Sequence, residues 1–465
     1  MKAIFQKLQS DQATLFKWTL SVLVPFCIFL VPCTEYFTHD IKWFLMVTAL
    51  GILIVAFELT ELMAVSMLFP VGYLVTGIVP MDVIYSAWTT TTIPIVVIGG
   101  YLLANTLERI GLLKRIALWC VLRVGGSYYG LLYGIFIAGC ILTVATGGNS
   151  WIIMAAFSYG ICKAFNLGKS IDSAIIMLVG GFGSTCSMVF FYIPYFTGII
   201  YSAARTVDST ITVSWLGYLF NMLPYLVYSI VLIWILPQIF KPKVKLPGKE
   251  YFMREYQNLG KMSSDEKKAG IAVIGLLLFM LTSEWHGINL DWAFIIIPWF
   301  LYLPGFHVAT REDIQKIDFG MVFFCVACLS IGLASAYVGV GKMLAEILVP
   351  ILKPMGATVI LAAVFVVGVL LNLLLTPLAV VAGFSEPIVQ IAQGLNMSPL
   401  APLYSLYVSM DQVFFPYEYL QYLIFYAFGL IYMKDFIKMM TFKSVLAFLF
   451  FVFLMVPWWK VIGLY

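Results

Sequence analysis

The sequence predicts an all-α polytopic membrane protein of about eleven transmembrane helices plus two re-entrant helical hairpins, arranged as two inverted-topology repeats. Three observations predict it. The chain is 62% hydrophobic and 11% charged, whereas soluble domains carry about 25% charge. A single long polar segment, residues 241–268, divides two long apolar halves. In each half one apolar stretch is interrupted by a short tip whose flanking arms are shorter than the ~20 helical residues a bilayer core requires.

In chain order, span 1 is expected over residues 17–37 and span 2 over 43–57. No small-residue cleavage site follows Lys2 and Lys7, so the first apolar run reads as a retained span. Span 3 begins near Glu61 and ends before Pro80-Met81-Asp82, a turn composition. Span 4 covers 92–108; the preceding Thr89-Thr90-Thr91-Thr92 reads as its cap, with a pathway lining as the alternative. An amphipathic piece, 111–124, carries Lys114 and Arg115.

The first hairpin follows at about 129–165. Its arms meet at Ala145-Thr146-Gly147-Gly148-Asn149-Ser150-Trp151. Glycines let the backbone turn and approach a solute, and Asn and Ser offer small polar groups. Such backbone survives at membrane depth only where protein or a water-filled cavity surrounds it. A loop between two ordinary helices is the plainer reading of this stretch alone. Span 5, 174–201, is expected to break at Gly180-Gly181-Phe182-Gly183-Ser184-Thr185, and span 6 is 214–240.

The 241–268 segment holds eight Lys/Arg and four acids and reads as a cytoplasmic linker. Spans 7, 8 and 9 are expected at 269–283, 291–303 and 320–338. A second amphipathic piece (340–352) leads to the second hairpin, 357–393. Span 10 covers 400–432 with a break near Phe415-Pro416-Tyr417-Glu418, and span 11 covers 442–457. The whole chain, 1–465, is thus one membrane domain, with a first repeat at 42–240 and a second at 269–465. With a cytoplasmic N-terminus and an extracellular C-terminus, 22 of the 27 Lys/Arg fall inside; Lys42, Arg205, Lys342, Lys353 and Lys460 fall outside. That bias fits the positive-inside rule for a cytoplasmic membrane. Leu103-Ala104 and Gly111 return as Leu333-Ala334 and Gly341, 230 positions on, which carries Gly148 to Leu378. An odd number of crossings separates the halves, which inverts them and places a site at the midplane.

At these residues the chain resembles the divalent-anion:sodium symporter family, carriers of di- and tricarboxylates. The likeness runs from Phe57-Glu58-Leu59-Thr60-Glu61 through Phe69-Pro70, Gly77-Ile78-Val79, Gly99-Gly100-Tyr101-Leu102-Leu103-Ala104 and Gly111-Leu112. It continues late in the chain with Phe414-Phe415-Pro416, Gly429-Leu430-Ile431 and Lys434-Asp435-Phe436. The resemblance implies an elevator-type alternating-access carrier, a homodimer, and Ser-Asn-Thr tips that bind a substrate carboxylate and sodium. Gly148-Asn149-Ser150 matches the first tip, with Gly for Ser and Ser for Thr. The glycine run at 180–185 resembles the family's sodium-coordinating break. The second tip has Pro377-Leu378-Ala379 where Ser-Asn-Thr is expected. The polar Thr-Pro-Pro-Asn runs are replaced by Ser187-Met188-Val189-Phe190 and Tyr419-Leu420-Gln421-Tyr422.

The resemblance therefore implies a divergent carrier of a small organic anion with degenerate sodium sites. Its expected substrate residues are Thr146, Gly148, Asn149, Ser150, Thr376, Pro377 and Glu418. Its expected ion ligands are Asn149, Gly181, Gly183, Ser184 and Thr185. No cofactor is expected beyond one sodium ion or a coupled proton. A channel or a carrier of another solute on the same scaffold is the alternative.

Intramembrane acids are costly and are functional candidates by default. Glu386, Asp411 and Glu418 qualify, against the plainer reading of a helix N-terminus partner or a watery face. Glu58 and Glu61 read as interfacial. No positive side chain is expected at midplane depth, so an anion would rely on backbone N–H groups. Cys325 and Cys328, among eight cysteines, read as packing residues, and His39, His286 and His307 fall at span ends. No catalytic set, metal cluster or phosphate loop is present, and no basic patch with interleaved aromatics suggests nucleic acid.

Overall fold

Every apolar run becomes helix because a lipid environment offers the backbone no other hydrogen-bond partner. The computed structural model describes residues 2–57, 59–124, 127–243, 250–373 and 375–465, and these contain helices and no strand. Glu58 lies outside them. Five described helices are long and apolar enough to cross a bilayer, or six if the bent pair Ile93–Arg109 and Leu112–Val124 counts as one. Others, such as Leu62–Val75 and Asp291–Phe300, are too short to cross alone. The fold is therefore the expected helical membrane architecture, but eleven full-length spans are not met by single long helices.

At the centre lies helix Ile171–Phe190, on which Asp172 to Phe190 are all buried. Ser170 and Ser173 close a capping box at its start. Both arms of the first hairpin, Tyr128–Ala145 and Trp151–Ala164, pack along it. The break expected at 180–185 is not there: those residues continue the helix, and the chain unwinds at Phe191-Tyr192-Ile193 before Pro194–Arg205. The glycines have a packing reason instead. A Cβ on Gly139 would lie 2.6 Å from the Gly183 carbonyl carbon, and one on Gly183 would lie 2.9 Å from Phe136 O. Two helices approach this closely only through small residues.

The second half repeats the order. Amphipathic helices of 13 residues, Leu112–Val124 and Val340–Leu352, follow left-handed glycines at Gly111 (φ 80°) and Gly339 (φ 81°). Hairpin arms follow, Ala357–Asn372 and Pro377–Gly394 in the second half. Left-handed Asn166 (φ 51°) and Asn396 (φ 55°) close the two hairpins. Helix Leu400–Ser409 is then broken, as expected, before the 3₁₀ turn Pro416–Glu418 and helix Leu420–Ala427. The registration differs from a constant 230. Gly111 corresponds to Gly339, while Gly341 is helical and packs against Pro387 and Gln390. At the tips, Ser150 and Thr376 both stand at the N-cap of the second arm, so Gly148 does not correspond to Leu378.

Two arginines fasten the bent pair to the second half. Arg109 grips Asp313 with Nε–Oδ1 at 2.8 Å and Nη2–Oδ2 at 2.9 Å, and donates to Val308 O. Arg115 grips Glu266 at 2.7 and 3.2 Å and donates to Gly260 O and Leu259 O. Asp313 and Glu266 are each the third residue of a capping box, opened by Thr310 and Ser263. Each acid thus satisfies a helix start and an arginine together. The Thr cap expected before span 4 is different in kind: Thr92 donates its hydroxyl across to Asp291 and makes no side-chain cap bond.

Two outcomes follow. Gly183→Ala should lower stability by about 3 kcal/mol, because the new methyl meets backbone that cannot step aside, whereas Gly160→Ala, with nothing within 4 Å of its Cβ, should be neutral; thermal unfolding in detergent compares them, and equal midpoints would refute the close contact. Burial opposes ionisation of Asp313, but hydrogen bonds from Arg109 and Thr310 outweigh it and hold the carboxyl below its ordinary value. Its folded pKa is the lower one, so its stabilisation is present above the unfolded carboxylate range near ~4 and is lost as pH falls through it. Arg109→Leu should remove part of this acid dependence in a pH series of unfolding midpoints.

Candidate functional site

The first tip is shaped by two left-handed glycines, Gly147 (φ 60°) and Gly148 (φ 97°), which L side chains rarely allow. The turn seats closely on its neighbours. A Cβ on Gly147 would lie 2.8 Å from the Phe294 ring, and one on Gly100 would lie 3.2 Å from Asn149 Nδ2. Thr146 is buried and donates to Leu142 O at 2.7 Å. Asn149 is the half-buried member of the tip, and its amide donates to Thr146 O at 3.2 Å.

Ser150 turns inward. Its hydroxyl lies 2.7 Å from Thr143 Oγ1 and 3.0 Å from Ser184 Oγ, and Thr143 also donates to Gly139 O at 2.8 Å. All three hydroxyls are buried. They bind the first arm, the second arm and the central helix at one point, directly beneath the tip. Gly181 and Gly183, in contrast, are packing positions in the continuous helix, against the Tyr422 ring and Gly139.

Thr185, the next residue along, belongs to a second network. Its hydroxyl meets Tyr422 OH at 2.6 Å, and Tyr422 OH donates to Asp411 Oδ1 at 3.1 Å. Asp411 lies in the unwound stretch after Leu400–Ser409. Its Oδ2 accepts from Tyr225 OH at 2.7 Å and forms an ion pair with Lys443 at 2.8 Å. Both side chains of the pair are 0% exposed. This corrects two expectations, because Asp411 faces neither water nor a helix N-terminus, and a positive side chain does lie deep in the protein. The error has a simple source. Lys434, Asp435, Lys438 and Lys443 interrupt the apolar run, so a span starting at 442 looks natural. The helix actually runs from Met433 to Val461, over 29 residues, which puts Lys443 roughly 15 Å from its start.

Glu418 folds back on its own turn and accepts from Phe414 N at 3.1 Å and Phe415 N at 2.8 Å. At the second tip, Thr376 accepts from Ala379 N at 3.4 Å and Pro377 takes the first helical position. A small, largely apolar cleft, lined in part by Ser66, Phe69, Phe324 and Thr376, opens beside it. Asn372, which the sequence did not single out, donates to Ser409 O at 2.9 Å and so ties the second hairpin to the unwound stretch. Glu386 lies apart, within 3.2 Å of Thr206 Oγ1 and of Gln390 Nε2.

The structure therefore brings Thr146, Gly148, Asn149, Ser150 and Ser184 together at the first tip, while Thr185 joins Asp411, Tyr225, Tyr422 and Lys443. Glu418, Thr376 and Pro377 share neither cluster.

Comparison with known proteins bears on this arrangement. Residues 52–409 match the citrate transporter (CitMHS) family. The fold is similar to the crystal structure of the YdaH transporter of Alcanivorax borkumensis, described as having an unusual topology. The TM-score is 0.54 at 16% identity, over 82% of this chain and 88% of that one. At that identity the likeness shows the fold. No curated protein matches the chain. The family match covers well over half the sequence and agrees with the resemblance read from its motifs: the chain belongs to the citrate transporter family.

Proposed function

We propose that the protein is a secondary carrier of a small organic anion, a di- or tricarboxylate of citrate type, across the cytoplasmic membrane. The observation that carries this reading is the first tip. A glycine turn presents the half-buried Asn149 at the start of helix Trp151–Ala164. The first-turn N–H groups of that helix lack intrahelical acceptors and favour negative charge. The fully buried Lys443 is already matched by Asp411. An anion would therefore be held by amides rather than by a basic side chain.

Alternating access of the elevator type is part of the reading. The Thr143–Ser150–Ser184 bonds make the tip and central helix one piece. Helices His39–Ala56 and Leu62–Val75 share a smaller core with Phe319–Val338, built on Ile41, Phe44, Tyr73 and Ile331. That smaller core suits a static scaffold in a homodimer, with a cytoplasmic N-terminus and an extracellular C-terminus. Coupling would use at most one sodium ion, at Asn149 and Ser184, or a proton.

Proteoliposomes test this. Labelled citrate or succinate should enter saturably and show counterflow, which an open channel would not give. Asn149→Ala should weaken transport about 10- to 100-fold, the loss of one hydrogen bond to a charged group. Wild-type transport by that variant removes Asn149 from the site, and absence of saturable flux for either anion overturns the substrate class. Sodium dependence should be shallow, with a response to external pH or to trans substrate. A steep cooperative sodium dependence without a pH effect would overturn the coupling.

A further inference from the structure

The surroundings of Lys443 are those of a bound cation. Its Nζ donates to the Asp411 carbonyl oxygen, lies 2.8 Å from Asp411 Oδ2 and 3.3 Å from Gln412 Oε1. These are a backbone carbonyl, a carboxylate and an amide oxygen, the hard donors that monovalent metal ions also take. They sit just past the C-terminus of Leu400–Ser409, where helix carbonyls carry partial negative charge. Unwound carbonyls at membrane depth are the usual material of cation sites in broken helices. The Phe182 and Tyr422 rings complete the shell, 5.8 and 5.9 Å from Nζ.

Three packed helices direct polar groups at the pair. The Leu223–Phe240 helix supplies Tyr225 OH to Asp411 Oδ2, with Tyr228 OH on the Lys443 carbonyl. The central helix supplies the Cys186 thiol at 3.3 Å, and Leu420–Ala427 supplies Tyr422 OH. Tyr225, Cys186 and Tyr422 donate to the acid, and Gln412 Nε2 is turned away to Tyr225 OH at 3.0 Å, leaving its oxygen for Lys443. The three acceptors, a carbonyl, a carboxylate and an amide oxygen, match the three N–H donors of the ammonium, so the whole coordination of the cation comes from this one turn.

We propose that this is a cation site whose occupant belongs to the chain: the Lys443 ammonium fills the place of a dissociable monovalent cation at the second broken helix. A tethered ion cannot be exchanged with either side of the membrane, so this half contributes charge balance without ion coupling. The proposal deepens the coupling part of the function above, but its readout is protein stability, so it can fail while anion transport stands.

Lys443→Ala should vacate the site for a free cation. Unfolding midpoints of purified wild type, Lys443→Ala and Lys443→Met are measured in sodium, methylammonium and choline chlorides of equal concentration. In Lys443→Ala, sodium or methylammonium should raise the midpoint over choline by roughly 2–4 °C more than in wild type, as for a ligand binding the folded state alone. Lys443→Met, whose side chain fills the space, should gain nothing. If the alanine variant is not recovered, Lys443→Ser carries the same test, and Asp411→Asn/Lys443→Ser, which removes both charges, must lose the gain. A cation-specific gain no larger than wild type's, or one that survives in the double variant, overturns the proposal. So does failure to recover either single variant after expression and extraction in sodium.

Discussion

Ser184 and Thr185 are neighbours on a helix with no solvent-facing side chain between Asp172 and Phe190, and each fastens a different polar network to it. About 100° of helix separates adjacent side chains, so one points toward the first hairpin and the other toward the unwound stretch of the second half. The arrangement works only because the glycines of the same segment let the Tyr128–Ala145 arm come within backbone contact at Gly139 and Gly183. A larger residue there would push Thr143 away from Ser150 and Ser184, and the tip would lose its anchor. Close packing by small residues and internal satisfaction of hydroxyls are therefore one constraint, imposed by a lipid surround that cannot supply the missing partners.

Much of this was legible in the sequence, and the errors share a cause. Apolar runs and turn residues located the helices, both hairpins and the break at Phe415–Glu418. Glycine was ambiguous, because the same residue permits a left-handed turn, as at Gly147 and Gly148, or a close helix contact, as at Gly139 and Gly183. Only the neighbours decide between the two. Charge was ambiguous in the same way: Lys443 looked like the end of a span since its partner, Asp411, lies 32 residues earlier in the chain. Registration of the halves slipped because single matched residues cannot reveal that the turns differ in length. Aligned by their caps, Ser150 and Thr376 occupy the same place, so the Thr376 hydroxyl is the counterpart of Ser150, a pairing the fixed offset did not give.

That alignment changes what the two halves can do. The first tip presents a glycine turn and a half-buried amide, and the hydroxyls behind it are neutral. The second break carries one charge of each sign, both unexposed, with two tyrosines and a glutamine committed to them. Polar groups that saturate one another cannot also bind a solute that comes and goes, since each bond to a ligand would leave a buried partner unsatisfied. The second network is thus suited to holding a fixed geometry. Asn372 extends it to the second hairpin through Ser409 O, which ties that arm to the end of Leu400–Ser409. The first tip differs in this respect, because Asn149 is neither fully enclosed nor fixed by a charged partner. The likeness between the halves lies in their helices; their polar chemistry differs, with a half-buried amide at the first tip and a fully enclosed ion pair at the second break.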